Sequence, residues 1–340
     1  CYADYPKMNL YLSQNVALLF LVSLSVSTVV LGKVERLFVF GDSNVDTGNT
    51  PSTEYPWQVP YGVTFPRRPT GRWSDGLVIT DYIARFLGLA TPIPYEDRKN
   101  WTHNRLSSGI NFAYGGAGVF ETLYLYPNVS RQITFFEQLI RDGVYKPGSF
   151  ASSVALVAVS GNDYAKFMYD NSPAAPARWR EFIAKVVEEI ISSVERVQSF
   201  GFKVIGVNSV SPLGCLPYIT KPIGNLKCVR IFNRRARYHN ELLKEGLAKL
   251  SNKTAETKYV YIDMYDAFLA AKKKMEDESR ACCDGVRTDK FCGDVDDNGV
   301  PAYTVCKDPS KFFYWDGAHP GQEGWKEVYV HLRPTLDALL

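Results

Sequence analysis

The sequence predicts an α/β fold: a mostly parallel five-stranded sheet sandwiched between helices in a three-layer α/β/α arrangement. Three observations carry this. Short apolar runs alternate with amphipathic stretches of helical period. Most of the runs are apolar on both faces, as buried parallel strands are. Glycines stand just past the ends of the helical stretches, where a left-handed residue stops a helix.

The first strand is Leu37–Phe40, and it exits into Gly41-Asp42-Ser43. A helix follows from about Asp75 to Leu87, closed by Gly88. The second strand, Ile110–Ala113, leads to a helix over Ser130–Arg141 that stops at Gly143. Strand three, Val154–Val159, precedes a long helix, Arg178–Phe200, closed by Gly201. Strand four is Lys203–Asn208, followed by a helix over Val229–Leu250 and a last strand, Tyr259–Ile262. Residues 275–310 hold four cysteines and little periodicity, which reads as a disulfide-tied excursion above the sheet. No linker, repeat or low-complexity run divides the chain, so residues 33–340 are expected to form one catalytic domain.

The chain has 340 residues, 46% hydrophobic and 22% charged, which is ordinary globular composition. A net charge of +3 is small for this length and argues against nucleic acid or an acidic membrane surface as partner. Ahead of the fold, Val16–Gly32 is an almost unbroken apolar and small-residue run, with charge resuming at Lys33, Glu35 and Arg36. It reads as the apolar core of a secretory signal peptide, and residues 1–32 as leader, those before Met8 lying upstream of the start. A membrane anchor is the rival reading, but the Ser and Thr residues within the run favour cleavage and no stable membrane insertion.

Cysteine usage agrees with export. Apart from Cys1 there are Cys215, Cys228, Cys282, Cys283, Cys292 and Cys306, an even set that reads as disulfides. Zinc is disfavoured, because an adjacent Cys-Cys pair is not a usual zinc spacing. Cys215 and Cys228 close a short turn-rich loop. The other four leave two connectivities once bonding between neighbours is set aside, and Cys282–Cys292 with Cys283–Cys306 is preferred. Asn100, Asn128 and Asn252 head glycosylation sequons.

Ligands of open parallel sheets sit at the carboxyl ends of the strands. Here those ends supply Ser43, the glycine-rich Tyr114-Gly-Gly-Ala-Gly118, and Ser160-Gly-Asn-Asp163. Near the C-terminus stands Asp316-Gly-Ala-His319-Pro320. A serine, a histidine and an acid equip a site for acyl transfer through a covalent intermediate, and backbone N–H groups with an Asn amide suit an oxyanion. No G-x-S-x-G elbow occurs, so an α/β-hydrolase nucleophile elbow is excluded.

The chain resembles the plant-type GDSL esterase/lipases of the SGNH hydrolase superfamily. Four ordered blocks carry the resemblance: Phe40-Gly-Asp-Ser-Asn-Val-Asp-Thr-Gly-Asn49, Gly109-Ile-Asn-Phe-Ala-Tyr-Gly-Gly-Ala-Gly118, Val159-Ser-Gly-Asn-Asp163 and Trp315-Asp-Gly-Ala-His-Pro320. Asn44 replaces the Leu of the name-giving tetrapeptide. The resemblance implies a flavodoxin-like fold, Ser43 as nucleophile, His319 as base and Asp316 as its orienter. It implies an oxyanion hole of the Ser43 and Gly116 N–H groups and the Asn162 amide, with Gly115 competing for the glycine's place. A secreted carboxylic ester hydrolase of the apoplast or cell wall is expected, monomeric, acting on a small, lipid or polysaccharide ester, with no cofactor or metal. An acyltransferase using the same site is one alternative. A catalytically silent binding protein on the same scaffold is another, and the intact residue set argues against it.

Other residues have plainer readings. Asp42 is a turn residue, and Ser160, lacking a nucleophile block, is a hydroxyl bonded to backbone. His239, within Arg234-Arg-Ala-Arg-Tyr-His239, reads as part of a solvated helix face, and His103 and His331 lack a matching acid. Asp294-Val-Asp-Asp-Asn-Gly299 begins like a calcium loop, but Val305 stands where the bidentate Glu belongs, so a tight acidic turn is expected.

Overall fold

A computed structural model describes residues 2–3, 33–100, 106, 108–165, 175–225 and 227–340. Apart from residues 2–3, the leader lies outside these residues, as do His103 and the last two residues of the Asn100 sequon. The chain from Gly32 to Leu340 is one compact unit.

The α/β class holds, with six strands instead of five. They are β1 (Arg36–Gly41), β2 (Ile93–Pro94), β3 (Ile110–Asn111), β4 (Ser153–Ala158), β5 (Val204–Asn208) and β6 (Lys258–Ile262). Their order is β2-β3-β1-β4-β5-β6, and every pairing is parallel. The strand that was not anticipated, β2, is two residues long, ends in proline and lies at the sheet edge. β3 is equally short, half the expected Ile110–Ala113, but that segment was apolar enough to read. β2 starts after one proline and ends in another with no such run around it, and an edge is where a sheet tolerates proline.

The long helices are α1 (Ile79–Phe86), α2 (Val129–Arg141), α3 (Ala175–Gln198), α4 (Arg230–Lys253), α5 (Met264–Lys272) and α6 (Gln322–Leu336). Asn128 caps α2, its side chain accepting the Arg131 N–H, and Gly143 follows the end at a φ of 73°. The sheet core is aromatic where β1 meets α2. Phe38 and Phe40 are fully buried, with ring centroids 5.1 and 5.9 Å from Phe136. Each such ring contributes about 1.5–3 kcal/mol on burial, so this contact fixes α2 on β1.

That packing also anchors the strand end that matters most. Gln132 of α2 is fully buried and clamps Gly41 twice: its Oε1 accepts the Gly41 N–H and its Nε2 donates to the Gly41 carbonyl, both at 2.8 Å. β1 and β4 end in register, Gly41 opposite Ala158. A Cβ on Gly41 would lie 2.2 Å from the Ala158 carbonyl oxygen, so only glycine fits there.

The excursion has more order than its sequence implies. Strand β7 (Asp277–Ala281) runs parallel to β10 (Phe312–Tyr314), and β8 (Cys283–Gly285) pairs antiparallel with β9 (Tyr303–Val305). Cys215 pairs with Cys228, but the other bridges are Cys282–Cys306 and Cys283–Cys292. This reverses the preferred connectivity, and the hairpin register explains it. Cys283 faces Val305, so the next step along the ladder sets Cys282 opposite Cys306, whose N–H donates to the Cys282 carbonyl. Neighbouring residues of a strand point to opposite faces, and Cys283 is turned away toward Cys292.

Candidate active site

Ser43 follows β1 at the carboxyl edge of the sheet, in a turn built by the rest of its block. Asp46 accepts N–H groups from Gly48, Asn49 and Thr50 and the Thr50 hydroxyl. Asn49 donates to the Asn111 and Ala113 carbonyls, tying the turn to β3. Ser43 is 7% exposed, and its Oγ lies 2.8 Å from His319 Nε2.

His319 and Asp316 come from the segment between β10 and α6. Asp316 Oδ1 accepts the backbone N–H groups of Ala318 at 2.9 Å and His319 at 2.8 Å, a turn that folds the histidine back over its own acid. His319 Nδ1 then lies 2.8 and 2.9 Å from the two carboxylate oxygens. Burial opposes the Asp316 charge, but the His319 imidazole and the donated hydrogen bonds outweigh it and hold the carboxyl below its ordinary range. The Trp73 ring covers His319, centroids 5.0 Å apart. Pro320 is followed by Gly321, the N-cap of α6, with Glu323 in the first turn.

The β3 exit brings Gly116 to the same edge at a φ of 76°. Its neighbour Gly115 donates its N–H to Thr50 Oγ1 at 2.8 Å and Asp46 at 3.2 Å, which commits it to the turn. A Cβ on Gly116 would lie 2.4 Å from the Tyr124 ring. Asn162 opens a short 3-10 turn after β4. Its amide donates to the Ala117 carbonyl at 2.9 Å and to Asp42 Oδ2 at 3.3 Å. Asp163 accepts the N–H groups of Val119 and Phe120, joining the β3 and β4 exits.

Asp42 proves to be the hub beneath these loops. It is fully buried and accepts the Ser160 N–H and hydroxyl, the Asn44 N–H and the Asn162 amide. Burial pushes its carboxyl up to about 6, against the hydrogen bonds and His319, which favour the charge. The Ser160 hydroxyl therefore bonds side chains, to Asp42 and from Asn44, and not backbone.

His239 corrects the sequence reading. It is fully buried, its Nδ1 is 2.6 Å from the Tyr164 hydroxyl, and burial pushes the imidazole down to about 3. Arg235, in contrast, lies with its guanidinium 3.8 Å over the Trp179 ring. The charged run masks an inward-facing position one helical turn further on. Asp294 and Asp296 of the acidic turn accept local N–H groups, with the Tyr55 hydroxyl also on Asp294. Asn252 is exposed on the last turn of α4, and Asn128 serves as the α2 cap. Sequence reasoning missed Tyr61 and Trp73, which sit in the long loop between β1 and α1, outside every motif block.

The profile of the family described as GDSL-like Lipase/Acylhydrolase matches residues 37–332. A GDSL esterase/lipase of Arabidopsis thaliana is 43% identical over 316 residues, covering 90% of this chain and 88% of its own. A second from the same plant is 41% identical over 318 residues, covering 89% of each. Among solved structures, a catalytic mutant of an acetylxylan esterase from Geobacillus stearothermophilus is 14% identical with a TM-score of 0.44, over 90% of this chain and 95% of that one. The family match spans the strand exits and the Asp316–His319 segment alike, and the chain belongs to the GDSL-like lipase/acylhydrolase family of carboxylic ester hydrolases.

Proposed function

We propose that this chain is a secreted serine esterase that cleaves carboxylic esters through an acyl-enzyme on Ser43. The observation that carries the reading is the unbroken line from Ser43 Oγ through His319 to Asp316, with 2.8 Å at each step. His319 Nε2 takes the Ser43 proton as Oγ adds to the ester carbonyl. The Ser43 and Gly116 N–H groups receive the oxyanion. The Asn162 amide joins them by giving up its longer bond, the 3.3 Å contact with Asp42. His319 passes its proton to the departing alcohol, then draws one from the water that releases the acid.

Residues 33–340 form the single hydrolase domain in this reading, and residues 1–32 are removed on export. Three disulfides support an oxidising destination. Among the described residues no helix is long and apolar enough to cross a membrane. The mature enzyme acts as a monomer, and Asn100, Asn128 and Asn252 are its glycan acceptors.

Ser43→Ala tests the assignment. The variant should keep the wild-type circular dichroism spectrum and lose turnover of p-nitrophenyl acetate; retention of the wild-type rate would exclude Ser43 as nucleophile. Sequencing the N-terminus of protein exported by cells tests the leader, which should be absent.

A further inference from the structure

Asp316 holds its two oxygens by different means. Oδ1 is fixed by backbone N–H groups of its own turn. Rotation about Cβ–Cγ moves both oxygens together, so these bonds resist it from one side of the carboxylate, and Oδ2 receives no N–H from the turn. His319 Nδ1 is nearly equidistant from both oxygens, so a swing of the carboxylate unbalances the pair, and a donor on Oδ2 opposes that swing from the second side.

That donor comes from a remote part of the chain. Tyr61 lies 255 residues away, is 2% exposed, and donates its hydroxyl to Asp316 Oδ2 at 2.8 Å. Its ring is held without help from that bond. It meets Trp73 and Trp315 edge-on, each at 6.0 Å, and shares one buried cluster with Cys282, Cys283 and Cys292. Trp73 in turn covers His319. The disulfide wall, two tryptophans and Tyr61 thus enclose the acid–base pair from behind.

We propose that Tyr61 is a positioning residue for the Asp316–His319 pair: its hydroxyl locks the carboxylate in the one orientation that meets Nδ1 and draws off part of its charge. This rests on the reading of Ser43, His319 and Asp316 as the reacting set. The titratable groups around Asp316 are His319 on its own segment, Tyr61, and Tyr124 on the loop before α2; Asp42, at the β1 exit, acts on His319.

Tyr61→Phe in the full chain keeps the ring and deletes the bond. It should lower kcat on p-nitrophenyl acetate about tenfold with KM within about twofold, the signature of lost transition-state stabilisation. The acid limb of kcat/KM should move to higher pH, because a carboxylate short of one donor holds the imidazolium more firmly. In an Asp316→Ala background the same substitution should change kcat by less than about twofold, since its partner is gone. Placing 3-fluorotyrosine at position 61 makes the hydroxyl a stronger donor and should move the limb the other way. A wild-type kcat and acid limb in Tyr61→Phe overturn the proposal, as does an equal effect in both backgrounds. An unmoved limb with 3-fluorotyrosine overturns it even where the Phe variant fails to fold. Fluorophosphonate labelling of Ser43 in wild type separates the two failures: with labelling intact only the Tyr61 proposal falls, and without it the reacting set falls as well.

Discussion

Lowering the pH from about 7 to about 5 should load a proton onto His239 in the unfolded chain but not in the folded one. The side chain is fully buried on α4, against the Tyr164 hydroxyl, and its Nε2 has no partner among the described residues. Burial takes the imidazole from 6.5 down to about 3. A folded value below the unfolded one means stability is complete above 6.5 and lost as the pH falls toward 3. Between about pH 7 and about pH 5 the loss is ~2 kcal/mol, and the folded value scarcely enters while it stays below about 4. Other buried groups titrate nearby. Asp42, pushed up to about 6, has the opposite sign and costs stability as the pH rises. Comparing wild type with His239→Asn cancels such terms. Urea unfolding at both pH values should show the variant losing ~2 kcal/mol less than wild type on acidification. The variant also starts lower, because the Tyr164 hydroxyl loses its partner at about 1–3 kcal/mol, but that cost is common to both conditions. The same acid dependence in both proteins would mean His239 takes up protons without unfolding, and the argument from burial would fail. Tyr164 closes the turn that Asn162 opens, so acid should loosen the oxyanion side of the site first.

Gly116→Ala, whose Cβ would meet the Tyr124 ring at 2.4 Å, should displace an oxyanion donor and cut kcat with KM little changed; an unchanged kcat would remove Gly116 from the hole. Asn162→Ala should lower kcat by roughly 10²–10³, and an effect confined to KM would oppose its role. Asp316→Asn should be milder than His319→Ala yet severe, through loss of the correct imidazole tautomer, with full activity in both removing the pair from the mechanism. Non-reducing peptide mapping should find Cys282–Cys306 and Cys283–Cys292, and reduction should abolish activity because the Cys282 and Cys283 N–H groups brace the Tyr314 and Trp315 carbonyls just before Asp316.

The four central-sheet strands of five or six residues, β1, β4, β5 and β6, were legible as largely apolar runs, and β3, only two residues long, was legible as the start of the segment Ile110–Ala113; their exits placed Ser43, Gly116 and Asn162 on one edge. Four of the long helices, α1 to α4, were legible from their amphipathic period, within about four residues at each end, whereas no helical stretch was read over α5 or α6. What sequence could not give was anything set by long-range contact. Tyr61 reaches Asp316 across 255 residues, and no local pattern distinguishes it from other loop tyrosines. The bridging of Cys282 and Cys283 depended on a hairpin register too short to read. His239 was hidden by arginines around it, although Ala236, Asn240, Leu243 and Leu247 mark the same buried stripe at helical spacing. Asp42 looked like a turn residue and proved to tie the first and third blocks together.

The site at which a fluorophosphonate attaches tests the Ser43–His319–Asp316 mechanism most directly. Native protein should take one label per chain, mapped by tandem mass spectrometry to the peptide containing Ser43. Heat denaturation should abolish labelling, and His319→Ala should slow it severely, since the serine proton then has no acceptor. A label on another serine such as Ser160, or labelling of Ser43 at the same rate without His319, would contradict the Ser43–His319–Asp316 mechanism.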